Sequence, residues 1–157
     1  MAEVTLESAL EKEHRDIDGG IEAYVEGLPA GLKQPEPLLR SMAGLRRHIY
    51  LEERFLFPPL REAGMMMPVM VMLREHGELW RSMDALDGLL ADGADVAAVL
   101  GACRDLLAEL ENHNTKEEPI LYTRADDVLT EYASGELATF LDEGRMPEGW
   151  VCDGVRA

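Results

Sequence analysis

The chain has 157 residues, 46% hydrophobic and 29% charged, which suits one domain with one core and excludes a disordered polyelectrolyte. Its net charge of −16, from 31 acids against 15 bases, sets the surface against phosphate backbones and argues against nucleic-acid partners. No apolar run approaches the roughly 18–20 residues of a membrane span, and the start, "MAEVTLESALEKEHRDI", has neither a basic n-region nor an apolar h-region, so we expect no membrane partner, no secretory signal and a cytoplasmic, soluble monomer.

Helical periodicity dominates, and nothing alternates with the period of a strand. A first helix is predicted over residues 5–25, ending at "EGLPAG", and a second over 37–57, stopped near Pro58 and Pro59. "REAGMMMP" reads as a turn, followed by a third helix over 68–90; "ADGAD" breaks the chain before a fourth over 96–122. Pro119 is expected to kink or end that last helix. Helices of this length with short connections favour an all-α, antiparallel up-down-up-down four-helix bundle. We assign the bundle to residues 1–125, and to 126–157 a short extra helix and a tail packed on it through Trp150.

The second half of the bundle echoes the first. "EHRDI" at Glu13 returns as "EHGEL" at Glu75, and "HIYLEERFLF" at His48 returns as "HNTKEEPILY" at His113. A repeat of this length implies two related helical hairpins. All four histidines, His14, His48, His76 and His113, belong to it, one per helix. Residues four apart on a helix differ by about 40° around the axis and about 6 Å along it, so His48 shares a face with Glu52, and His113 with Glu117. Glu53 and Glu118, one position on, swing about 140° from their histidines, towards solvent, a helix boundary or an outer layer of the site.

A lone histidine on an apolar face is most often a satisfied core residue, and a lone H-x-x-x-E is common on solvated helices. Here both motifs recur in register and use every histidine. Six inward polar groups are costly as bare groups, because a buried unpaired carboxylate costs several kcal/mol or takes a proton. Two cations offset that cost. Imidazole with carboxylate suits iron, manganese or zinc, and bundle cores hold dinuclear carboxylate sites with room for solvent, an oxo or hydroxo bridge, or a diatomic ligand.

With its order His … His-x-x-x-Glu … His … His-x-x-x-Glu, and with "FLFPPL" and "ILYTRA" after the two pairs, the chain resembles the hemerythrin-like family with HHE cation-binding domains over about residues 5–125. The resemblance implies a four-helix bundle around two non-haem irons. His14 and His48 would bind one iron, His76 and His113 the other, and Glu52 and Glu117 would bridge them. Oxygen-carrying hemerythrins use five histidines, with a pair spaced by four on the third helix; here the positions four before and after His76 are Met72 and Trp80. The carriers also have an aspartate five residues after the last histidine, where this chain has Glu118. The His76/His113 iron is thus left short of a nitrogen ligand, with water, Glu118, Tyr50 or Tyr122 as candidates to fill the place. The departure lowers simple O₂ carriage and raises sensing of O₂, nitric oxide or peroxide, iron handling and slow peroxide decomposition; binding or sensing of such a small ligand is the leading reading. The alternatives are a catalase-like di-iron oxidoreductase and an iron storage, donation or repair protein.

Other features receive plainer readings. The run "MMMPVMVM" from Met65 reads as core filling rather than a copper site. Trp80, Phe57 and Tyr122 are expected to wall the centre. Asp18 and Glu78 are candidates to accept a histidine N–H, with exposed helix surface the plainer home for both. Cys103 and Cys152 lack C-x-x-C spacing and read as thiols. No serine has a G-x-S-x-G setting, and no glycine-rich phosphate loop occurs.

Overall fold

A computed structural model describes residues 4–30 and 34–156. Among the described residues the chain is helical, with no strand. None of the helices is long and apolar enough to cross a membrane. Helix α1 covers Leu6–Gly27. Thr5 caps it by accepting from the Ser8 amide while the Ser8 hydroxyl accepts from the Thr5 amide. Asp126, distant in sequence, accepts from the Leu6 and Glu7 amides, so the orphan donors of this terminus are met from two sides.

Helix α2 (Glu36–Leu51) runs into a π-helical turn at Glu52–Leu56 and then into α3 (Phe57–Glu62). The predicted stop at Pro58 and Pro59 is therefore wrong. Both prolines fall in the first turn after the π-turn, where the hydrogen-bond register shifts and missing N–H groups are tolerated. Helix α4 spans Met66–Ala91 and α5 spans Val96–Glu117. A second π-turn at Glu118–Tyr122 carries the chain on into α6 (Thr123–Val128), so Pro119 does not end this helix and the expected limit at Tyr122 is passed. The turns after α3 and α4 close on Gly64 (φ 95°) and Gly93 (φ 68°). In each, the residue after the glycine donates back to the helix, Met65 to Leu60 O at 3.0 Å and Ala94 to Leu89 O at 2.9 Å.

Helix α1 packs on α2 and α5, and α4 packs on α5 and α2. Two apolar clusters fill the interior. One gathers Ile17, Leu45, Leu79 and Leu110 with their neighbours, the other Leu10, Leu51, Met72 and Leu121 with theirs. Each long helix passes from one cluster to the other across its histidine: Leu10–His14–Ile17, Leu45–His48–Leu51, Met72–His76–Leu79 and Leu110–His113–Leu121. The histidines thus form a polar layer between two dry ones.

Helix α7 (Glu131–Glu143) and α8 (Asp153–Arg156) pack against this core. Arg47 holds the end of α7 by donating to the carbonyls of Phe140, Leu141 and Gly144, at 2.5, 3.1 and 2.9 Å. Trp150 packs edge-on against Tyr50 and Trp80, at 5.0 and 5.6 Å between ring centroids. Helix α8 lies so close to α4 that a Cβ on Gly154 would sit 2.7 Å from Leu73 O and 3.0 Å from Gly77 Cα. Cys103 and Cys152 are free, buried thiols, and burial pushes each up to about 11.

The methionine run departs from expectation. Met72 is buried, but Met66, Met67 and Met70 are 51%, 74% and 48% exposed. The helix starts at Met66, one turn earlier than its core-facing row, so these three fall on its outer side.

Candidate metal centre

The layer between the apolar clusters is built from six buried polar side chains: His14, His48, Glu52, His76, His113 and Glu117. Their donor atoms fall into two sets, His14/His48/Glu52/Glu117 and Glu52/His76/His113/Glu117, each with its atoms within 4.8 Å of one another. The two glutamates belong to both. Glu52 Oε1 lies 3.0 Å from His76 Nε2, and its Oε2 lies 3.4 Å from His48 Nε2. Glu117 Oε1 lies 3.2 Å from His14 Nε2 and 3.3 Å from His113 Nε2.

The outer ring nitrogens are all engaged. His14 Nδ1 meets Glu118 at 2.7 Å, His48 meets Glu13 at 2.8 Å, His76 meets Glu53 at 2.7 Å and His113 meets Glu75 at 2.9 Å. With a carboxylate accepting at each Nδ1, the Nδ1–H tautomer is favoured and each Nε2 lone pair points inward. Glu53 and Glu118 thus take the outer-layer place among those open to them. The sequence reading missed Glu13 and Glu75. Their signal was the repeated Glu-His pair, but adjacent helical residues point about 100° apart, so each glutamate serves a histidine on the neighbouring helix. Arg47 holds Glu13 at 3.1 Å, and Lys116 holds Glu75. Glu78 is exposed beside Arg74, and Asp18 is half-buried; neither accepts from a histidine.

The inner atoms are left wanting. Glu52 Oε1, His76 Nε2 and both Glu117 oxygens are buried without a hydrogen-bond partner. Such a concentration in one layer is what a site for cations looks like when protein groups alone face one another. Burial pulls the imidazoles of His48 and His113 down, but the charges of Glu52 and Glu117 and the bonds to Glu13 and Glu75 outweigh it and push each up to about 10. Burial raises Glu117, yet His113 and His14 hold it well below the usual carboxylate range.

Two aromatic side chains close the ends. Phe57 and Tyr122 each stand nine residues after the histidine of their repeat. Phe57 stacks on His76 at 5.4 Å and Tyr122 on His14 at 5.1 Å. Both sit at the π-turns, whose i→i+5 bonding brings a residue five on from the inward glutamate back over its face; the Phe57 amide donates to Glu52 O. Trp80, also expected to wall the centre, instead packs on Trp150 and Arg46. Tyr122 Oη lies 2.8 Å from both His14 Nε2 and His48 Nε2, and it donates to Glu52 Oε2 at 2.5 Å.

The His76/His113 end therefore lacks the side-chain ligands considered for it. Glu118 is at His14, Tyr122 is at the His14/His48 end, and Tyr50 lies among Phe55, Phe140 and Trp150. Helical register decides this, since Tyr50 and Glu118 leave their helices on faces turned away from that end.

A helical protein whose core carries histidine and glutamate groups placed for metal binding belongs to a recognisable class. The chain is a member of the hemerythrin HHE cation binding domain family, which it matches over residues 5–125. Curated relatives include uncharacterized proteins of Mycobacterium tuberculosis (Rv1995) and Mycobacterium bovis (Mb2018), each 29% identical over 158 residues, covering 89% of this chain. The alignment covers 61% of those relatives, so the chain spans less than two thirds of their length. No solved structure matches it.

Proposed function

We propose that this chain holds two iron ions and binds or senses a small ligand, O₂, nitric oxide or peroxide, at the resulting centre. His14 and His48 would hold one ion and His76 and His113 the other, with Glu52 and Glu117 shared between them. The supporting observation is the pair of four-residue donor sets that share both glutamates, with unpartnered oxygens and an Nε2 turned inward. Mixed imidazole and carboxylate donors suit iron. When bound, the ions supply Lewis acidity and one-electron chemistry to a small molecule. The protein does the rest. Glu13, Glu53, Glu75 and Glu118 fix the tautomer and aim of each ring, and the two apolar clusters exclude water and larger substrates.

Residues 1–125 are read as an antiparallel up-down-up-down bundle that carries the centre. The order of the two apolar clusters, which reverses from each long helix to the next, supports that topology. Residues 126–157 are read as a cover tied down through Arg47 and Glu53. The experiment is metal content by mass spectrometry on protein purified without added metal, with absorption spectra taken anaerobically and in air. Two irons per chain with new charge-transfer bands in air are expected; zinc alone, or no metal after iron supplementation, sinks the reading.

A further inference from the structure

The repeat makes the two ends of the centre nearly equivalent, but they differ in the aromatic residue that covers them. At the place where Phe57 presents a ring to the His76 end, Tyr122 presents a hydroxyl to the His14/His48 end. That hydroxyl is fully buried, and two Nε2 atoms and a carboxylate oxygen lie within 2.8 Å of it. It lies among the donor atoms that would face a cation at this end. The ring, stacked on His14 at 5.1 Å, keeps that oxygen facing the donors of this end.

We infer that Tyr122 is a seventh protein donor of the centre, to the ion held by His14 and His48, and that an exogenous ligand binds at the other ion, beside Phe57. The inference rests on the two-iron reading above. On binding, the phenol O–H breaks, its oxygen electron pair binds the cation, and the proton leaves to solvent. The His14/His48 ion then has five protein donors and the His76/His113 ion four. The ion with fewer donors, walled by an aromatic ring that offers none, is the one open to a ligand.

The test loads the full chain with ferric iron and reads the visible spectrum. A phenolate-to-iron charge-transfer band is expected in the unaltered protein and in Tyr50→Phe, and is lost in Tyr122→Phe protein that retains bound iron. Resonance Raman excitation into the band reads tyrosinate ring vibrations without any substitution, so the result stands even where a variant fails to fold. Azide, as the probe ligand, should bind the unaltered protein with the phenolate band retained, and at least tenfold more weakly to Phe57→Tyr. Two bound irons without tyrosinate vibrations, or a band that survives Tyr122→Phe, overturns the assignment of the donor. Azide that displaces the phenolate band, or binds Phe57→Tyr equally well, overturns the assignment of the open ion. A chain that takes up no iron overturns the metal reading itself, and this inference with it.

Discussion

Glu118 and His14 are 104 positions apart in sequence, yet Glu118 Oε2 lies 2.7 Å from His14 Nδ1. The equivalent pair in the other half of the repeat, Glu53 and His76, meets at the same distance. Glu13 and Glu75 complete the pattern on His48 and His113. Every histidine of the layer is therefore aimed by a carboxylate from a different helical segment, and the repeat is visible in these contacts as well as in the sequence.

Removing one of these carboxylates should weaken metal binding without abolishing the fold. Glu118→Ala is expected to lower metal affinity by about 10–100-fold, read by competition with a chromophoric chelator. Glu78→Ala, on the exposed side of α4, serves as the control and should leave affinity unchanged. Equal affinities for the two variants would deny Glu118 any role in aiming His14.

Loss of a shared glutamate should cost more. Glu52 contributes an oxygen to each donor set, so Glu52→Ala removes a donor from both ends at once. Metal content should fall from two ions per chain to one or fewer, with circular dichroism confirming retained helix. Two tightly held ions in this variant would show that the centre does not depend on a bridge at Glu52.

The metal-free protein should be most stable in mildly acidic solution. His48 and His113 are raised from 6.5 to about 10, so their contribution is complete below pH 6.5 and is lost as pH rises through 10. Glu13, Glu52, Glu75 and Glu117 are lowered from 4.5, so theirs is present above pH 4.5 and lost as pH falls. Thermal melts of chelator-treated protein should peak between these limits and decline towards pH 10. Metal loading should flatten the alkaline decline, because cations then replace the protons at Nε2. A chelated protein that melts at the same temperature at pH 6 and pH 9.5 would count against the charge pairing.

The tail should report on His76. The Asp153 amide donates to Glu53 Oε1 at 3.0 Å, and the other oxygen of Glu53 holds His76. Gly154→Val forces a side chain into Leu73 O and Gly77, lifting α8 from α4. Destabilisation of about 1–3 kcal/mol is expected from overpacking, together with a weaker grip on metal. Unchanged metal affinity in a destabilised variant would separate the tail's packing from the site.

Residue spacing was enough to place the long helices, to pair His48 with Glu52 and His113 with Glu117 on common faces, and to reveal the two-fold repeat. These follow from the 3.6-residue period and from spacings within one helix. Which carboxylate aims which ring depends on how the helices pack, because Glu13 serves His48 and Glu118 serves His14 across helix boundaries. The π-turns lay equally beyond a regular helical reading: they carry the chain past Pro58, Pro59 and Pro119, and they bring Phe57 and Tyr122 over the site. A wider turn changes the angular phase of every residue after it, so a face read with a constant period is misplaced from that point on. The exposed Met66, Met67 and Met70 show the same limit at a helix start, where composition says apolar and only packing says which side is covered.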